Sequence, residues 1–264
     1  MHPAERTIER LASLTLTAGR DKSGAPEAGD VRFRAGEVTA LLGPTGSGKS
    51  RLLSDVESLA AGDTPTGRML LLNGAPPTPD ERFFLQGRLV AQLTQNMNFV
   101  LDIKVIDFIR MHAESREIPD PEAAALRVFE AANRLAGEPF PRVAQLTQLS
   151  GGQSRALMIA DTALLSSSPV ILIDEIENAG VDKRNALDLL IRSDKIVVIA
   201  THDPVLALSA DRRLVFRHGA VAHIIRRTER EKVLLEELLE MERRISGVRE
   251  SLRSGESFVS DRLP

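Results

Sequence analysis

Val38-Thr39-Ala40-Leu41-Leu42-Gly43-Pro44-Thr45-Gly46-Ser47-Gly48-Lys49-Ser50 decides how this chain folds. The first five residues form a nearly continuous apolar run, as expected of a strand covered on both faces within a parallel sheet. Glycines then interrupt the run, and helix-permissive sequence resumes from Lys49 to about Ala61. A Gly-x-x-x-x-Gly-Lys-Ser pattern between a strand and a helix suits a phosphate. The glycines let backbone N–H groups converge at a helix N-terminus, Lys49 adds a point charge, and the Ser50 hydroxyl can ligate a hard divalent cation. Gly43, Pro44, Thr45, Gly46, Ser47, Gly48, Lys49, Ser50 and the following Arg51 therefore form the candidate phosphate-binding loop.

Working outward, two further apolar runs, PVILIDE from Pro169 and KIVVIATHD from Lys195, flank helical sequence, and this alternation specifies a parallel α/β sheet. Upstream, Leu11, Leu14 and Leu16 read as a strand, GRDKSGAPEAGD as a loop, and RMLLLNG as a strand turned at Asn73-Gly74. More sheet is expected near Arg88 to Thr94. The Ala-rich stretch opened by Asp120 as N-cap and Pro121 in the first turn predicts a helical lobe, inserted over about residues 98–165. RLVFRHGAVAHII predicts a hairpin turning at His218-Gly219. Beyond residue 228, Leu234, Leu238, Met241, Ile245, Val248 and Leu252 recur at steps of four and three, which predicts an amphipathic helix whose seam packs on the chain's own body or else pairs with its twin or docks on another protein. The organisation is thus an α/β body over 1–227, a mixed sheet core with an antiparallel portion, and a C-terminal helix and tail over 228–264.

Composition narrows the classes. The 264 residues carry 34 Lys+Arg against 37 Asp+Glu, so no polybasic footprint for nucleic acid is present. Cysteine is absent, which removes disulfides, thiolate metal sites and thiol nucleophiles together. The apolar runs fall far short of the roughly 20 residues a membrane helix needs, and MHPAERTIER lacks a signal-peptide core. A cytoplasmic protein, peripheral at most to the inner face of a membrane, is expected.

Two more motifs carry chemistry. Ile171-Leu172-Ile173-Asp174-Glu175 delivers two carboxylates at the C-terminal end of a strand, where ligands bind in open α/β sheets. With a phosphate loop upstream, Asp174 is a candidate magnesium ligand and Glu175 a candidate base or orienter for an attacking water. Leu149-Ser150-Gly151-Gly152-Gln153 places a good N-cap and glycine N–H groups at the start of the helical SRALMIADTALL.

Over about residues 11–226, the order of phosphate loop, Ser150-Gly151-Gly152-Gln153 signature and Asp174-Glu175 strand resembles the ABC ATPase family of phosphate-loop NTPases. The resemblance implies ATP and Mg²⁺ as ligands and hydrolysis of ATP to ADP and phosphate. It also implies a homodimer, or another paired cassette, in which the signature reaches nucleotide held by the opposite subunit. Gln95 resembles the family's Q-loop glutamine, a magnesium contact beside Ser50 and Asp174, with Gln92 as its rival. His202 resembles the switch histidine, and Asp182 the D-loop aspartate. The family implies a transporter's energy-coupling subunit, with Phe99, Val100 and Leu101 facing a membrane-spanning partner. The alternative is a soluble ABC ATPase that remodels, assembles or reactivates a client protein. The chain departs from the family pattern in three places. No Tyr or Trp is present to stack on adenine, which leaves aliphatic contact or an arginine such as Arg20 laid against the base as the replacement. Arg51 stands where a second hydroxyl is common. Ile176-Glu177-Asn178-Ala179-Gly180-Val181 lacks the usual proline and looks one residue long.

Overall fold

The computed structural model describes residues 4–5, 8, 10–94, 99–174, 181–191 and 194–255. Gln95 and Glu175, two of the residues singled out above, lie outside the described residues, as do Asn178 and Gly180. Strands β1 (Ser13–Leu16), β2 (Val31–Arg34), β3 (Val38–Leu42), β4 (Leu70–Leu72), β5 (Val90–Leu93), β6 (Val170–Asp174), β7 (Ile196–Ala200), β8 (Arg212–Arg217) and β9 (Ala220–Arg226) form two sheets. The larger has the order β5-β6-β7-β3-β8-β9, in which β5, β6, β7, β3 and β8 run parallel and β9 returns antiparallel. The smaller is antiparallel, in the order β2-β1-β4. VRFRAGEVTALLG is therefore divided between the sheets, its alternating half pairing in one and its apolar half in the other.

Both faces of the large sheet are covered, which is why its strands read as unbroken apolar runs. Leu41, Leu172 and Val198 point toward helix α1 (Lys49–Glu57) and the small sheet, packing with Leu14, Phe33, Leu52 and Val56. Ala40, Ile171, Ile173, Val197 and Ile199 face the other way. There they meet α3 (Val105–Ser115), α4 (Pro121–Leu135), α5 (Gly151–Leu164) and α6 (Lys183–Ile191). Asp120 caps α4 as its sequence predicts, accepting from Ala123 N at 3.0 Å.

Three local features depart from the sequence reading. Helix α1 ends at Glu57 rather than near Ala61, because Leu59 takes a left-handed φ of 54°. A short helix α2 (Pro79–Leu85) follows β4, built on a Thr78–Glu81 capping box that was legible in Thr-Pro-Asp-Glu. After α7 (Pro204–Ser209), the C-terminal helix α8 (Glu229–Arg253) forms as predicted but does not bury its seam on the body. Leu234, Met241, Ile245 and Leu252 are exposed, and only Leu239, one step round the helix, is buried. Among the described residues no helix is long and apolar enough to cross a membrane.

Candidate functional site

Register brings the predicted residues to one edge. Asp174 at the end of β6 pairs with Ala200 on β7, Ala200 pairs with Leu41 on β3, and Leu41 pairs with Leu214 on β8. Asp174, His202 and the phosphate loop after Leu42 therefore emerge side by side.

The loop is held in a shape that tolerates no side chain at two glycines. Gly43 has φ 146°, and a Cβ there would lie 2.6 Å from Ser47 Oγ and 2.7 Å from Phe216 O. Gly48 has φ 114°, and its Cβ would come within 2.8 Å of Gly219 Cα. Gly48 is also the N-cap of α1 and provides no side-chain cap, so the first-turn N–H groups remain available to an anion. The buried ammonium of Lys49 donates to Gly43 O at 2.7 Å and Pro44 O at 3.3 Å and lies 3.4 Å from His202 Nε2. Beside Lys49, the buried Ser47 hydroxyl has no hydrogen-bond partner among the described residues. A buried cation held by carbonyls, an unpaired buried hydroxyl and an uncapped helix start together fit a polyphosphate. Ser50 is exposed at the same turn and, with Asp174, could offer the hard oxygen donors Mg²⁺ prefers.

A cavity of about 510 Å³ opens beside the loop, lined by Lys22, Gly43 to Ser47 and the β8–β9 turn from Val215 to His218. His218 and Gly219 take φ of 50° and 92°, as a tight hairpin turn requires. The turn clasps the loop through Gly219 N to Ser47 O at 2.8 Å. Lys22 completes the clasp. Its N donates to His218 O at 2.9 Å and its Nζ to Gly46 O at 2.6 Å. Arg20, the candidate for adenine, instead donates to Gly24 O within its own loop and does not line the cavity.

The model of the family described as ABC transporter matches residues 28–178, more than half of the chain. An uncharacterized ABC transporter ATP-binding protein of Methanocaldococcus jannaschii is 49% identical over 252 residues, covering 95% of this chain and 96% of the relative. This chain belongs to the ABC transporter family. The lipoprotein-releasing system ATP-binding protein LolD of Nitratidesulfovibrio vulgaris is 32% identical, over 72% of this chain and 83% of its own length. Among solved structures, CbiO1 of Clostridium perfringens, part of an ABC transporter complex, superposes with a TM-score of 0.62 at 22% identity, covering 90% of this chain and 98% of that one. A dimeric ATP-binding cassette bound to ADP and phosphate superposes with 0.59 at 20%, covering 81% and 98%. These two likenesses bear on the fold alone. The mixed sheet, phosphate loop and helical region are thus those of an ABC-type ATPase.

The ABC signature opens helix α5, with Ser150 as its N-cap. Ser150 and Gln153 form a capping box at the start of α5: Ser150 N donates to Gln153 Oε1 at 2.9 Å, and Gln153 N to Ser150 Oγ at 3.3 Å. That box gives the motif's Ser and Gln local reasons. Gly151 has none. It is exposed, lacks a positive φ, and a Cβ on it would meet nothing within 4 Å. Asp182 sits at the start of α6, where its carboxylate accepts from Asn185 N at 3.0 Å and Asn185 Nδ2 at 2.7 Å. Arg51 is exposed on α1.

Behind α1 lies a network the sequence did not disclose. Arg68, 1% exposed, donates to both oxygens of Glu27, at 2.6 and 2.8 Å, and to Asp55 Oδ2 at 2.9 Å, which also accepts from Thr66 Oγ1 at 2.9 Å. Glu27 takes further N–H bonds from Gly19 at 2.9 Å and Val221 at 3.2 Å, tying the 17–30 loop to β9. Burial pushes the Glu27 carboxyl up, but Arg68 and the two backbone donors outweigh it and hold the group below its usual range. Nothing in a Glu within a Gly-Pro loop or an Arg before a strand announces this pairing.

Proposed function

We propose that this cassette binds MgATP at the β3–α1 loop and hydrolyses it as a head-to-tail pair, serving as the energy-coupling subunit of a membrane transporter. Gly43 to Ser50 and the Lys49 ammonium hold the β and γ phosphates, with Arg51 nearest the α phosphate. Ser50, Asp174 and Gln95 hold Mg²⁺, which when bound neutralises charge on the phosphate oxygens. Glu175 orients the attacking water and accepts its proton, and His202 hydrogen-bonds the γ phosphate from its place beside Lys49. Ser150, Gly151, Gly152 and Gln153 act on the nucleotide of the second copy, with Asp182 at the same junction.

Gly151 carries this reading. A glycine that its own chain neither strains nor crowds makes sense where something outside the chain must approach its backbone closely, and a phosphate held by a facing copy is such a thing. Support for transport comes from the relatives' names, which include a thiamine import ATP-binding protein of Chelativorans at 31% identity and a macrolide export ATP-binding/permease protein of Brucella abortus at 30%, of which the matched region covers 32%. Val100 and Leu101, 90% and 47% exposed just after Gln95, offer apolar surface for a membrane subunit's cytoplasmic segment.

Glu175→Gln tests the division of labour. It should keep ATP affinity, lose turnover by at least roughly 100-fold, and sediment as an ATP-dependent dimer. Turnover at the wild-type rate would remove Glu175 from the reaction. Native purification from membranes with a membrane-spanning protein attached is the expected sign of the transport role; recovery in the soluble fraction with a soluble client would favour the remodelling alternative.

A further inference from the structure

Helix α8, 25 residues and about 37 Å long, is fixed to the body along one side only. Leu239 is buried there, Arg213 pairs with Glu231, and Lys183 joins Asp203 to Glu242 at 3.1 Å. The adjoining face, about a quarter turn round, carries the heptad seam. Leu234, Met241, Ile245 and Leu252 are 44%, 58%, 51% and 59% exposed, with Leu238 and Val248 half-buried between them. Scattered exposed leucines are ordinary, but a continuous stripe at strict four-three spacing is the geometry by which one helix packs into another.

Charge says what covers it. From Glu229 to Glu242 the helix has six glutamates against Arg230 and Lys232; from Arg243 to Arg253 it has four arginines against Glu250. Two copies laid parallel would set acid on acid and base on base, whereas two laid antiparallel set each acidic half against a basic one. Glu237 and Arg244 stand one heptad apart on the same flank of the seam, so reversal brings each Glu237 opposite Arg244 of a second copy.

We propose that α8 pairs antiparallel with α8 of a second copy of this chain, without nucleotide. The exposed pairs of Glu240 with Arg243 and Arg244 within one helix are weak and can exchange for pairs between helices. The pairing rests on the helix alone and not on the ATP-driven dimer proposed above. In combination with that dimer, it keeps two cassettes at high mutual concentration when no ATP bridges them.

Sedimentation of the full chain without nucleotide tests it through charge reversal. Glu236→Arg with Glu237→Arg sets a basic residue against Arg244 of the second copy, and Arg243→Glu with Arg244→Glu sets an acidic one against its Glu237; each should weaken self-association by roughly 10-fold or more relative to wild type. An equimolar mixture of the two should dimerise again, and so should the chain carrying all four changes. Circular dichroism and retained ATP binding report that each variant is folded. A wild-type chain that is monomeric without nucleotide, variants that dimerise like wild type, or a mixture that stays monomeric would each overturn the proposal. None of those results touches the nucleotide-dependent pairing, which the Glu175→Gln dimer reads separately.

Discussion

Helix α1 carries a buried cation at one end and a buried anion two turns on, and the two are treated oppositely. Asp55 is met by the Arg68 guanidinium and the Thr66 hydroxyl, with Glu27 closing the cluster. Lys49 is met by the carbonyls of Gly43 and Pro44 and by an imidazole, beside the unpaired hydroxyl of Ser47. The Arg68 counter-charge makes the Asp55 end a clamp that fixes the 17–30 loop, β4 and the β8–β9 hairpin around the helix, although Asp55 Oδ1 itself has no hydrogen-bond partner among the described residues. Lys49 is hydrogen-bonded to neutral acceptors only, which leaves its charge with attraction to spare for an anion that arrives later. Stability and binding are thus divided between two charges six residues apart.

The difference predicts where each substitution shows its cost. Arg68→Met, which strands two carboxylates in the interior, should lower unfolding free energy by about 3–5 kcal/mol in urea titrations. A loss near zero would mean that the cluster is not holding the helix in place. Lys49→Ala should instead leave stability within about 1 kcal/mol of wild type while weakening ATP binding roughly 100-fold by calorimetry, a change of about 2.7 kcal/mol. Equal losses of stability from the two substitutions would erase the distinction drawn here.

The opposite edge of the same sheet offers a smaller, graded check. Lys195, just before β7, is buried against backbone carbonyls of Thr162 and Ser166, and burial, aided by the charge of Arg116, lowers its pKa from 10.5 to about 8. Between those two values the unfolded chain binds more protons than the folded one, so stability rises with pH across that window; below it both forms are protonated and the cost of the buried charge is constant. Measured against Lys195→Met, the wild type should gain on the order of 1 kcal/mol per pH unit from about pH 8 upward. A flat difference would show that Lys195 is solvated.

Much of this was legible along the chain because the signals are local. Strands covered on both faces must be apolar throughout, as Ile171 to Ile173 and Ile196 to Ala200 are. His218-Gly219 and Asp120-Pro121 announce a turn and a helix start by backbone requirements alone. What could not be read depends on distant pairing. Glu27 and Arg68 are 41 residues apart, and Lys22 meets Gly46 across 24. The seam of α8 was visible as a pattern, but periodicity states only that something covers a face, and the body covers a different one. The reading of Asp174 as metal ligand and Glu175 as base was equally local, yet the second carboxylate lies outside the described residues, so its role rests on chemistry rather than on geometry.

Whether the signature serves a facing copy is settled most directly by pairing two crippled chains. Ser150→Arg should bind ATP as tightly as wild type but hydrolyse none, since the added bulk enters the second copy's phosphate site. Lys49→Ala should also be inactive. Mixed in equal amounts, half of the pairs combine the two variants and each holds one intact composite site, so hydrolysis should return to about a quarter of the wild-type level. Ser150→Arg protein that no longer binds ATP by itself would contradict the account, because the signature would then be acting on its own chain's nucleotide.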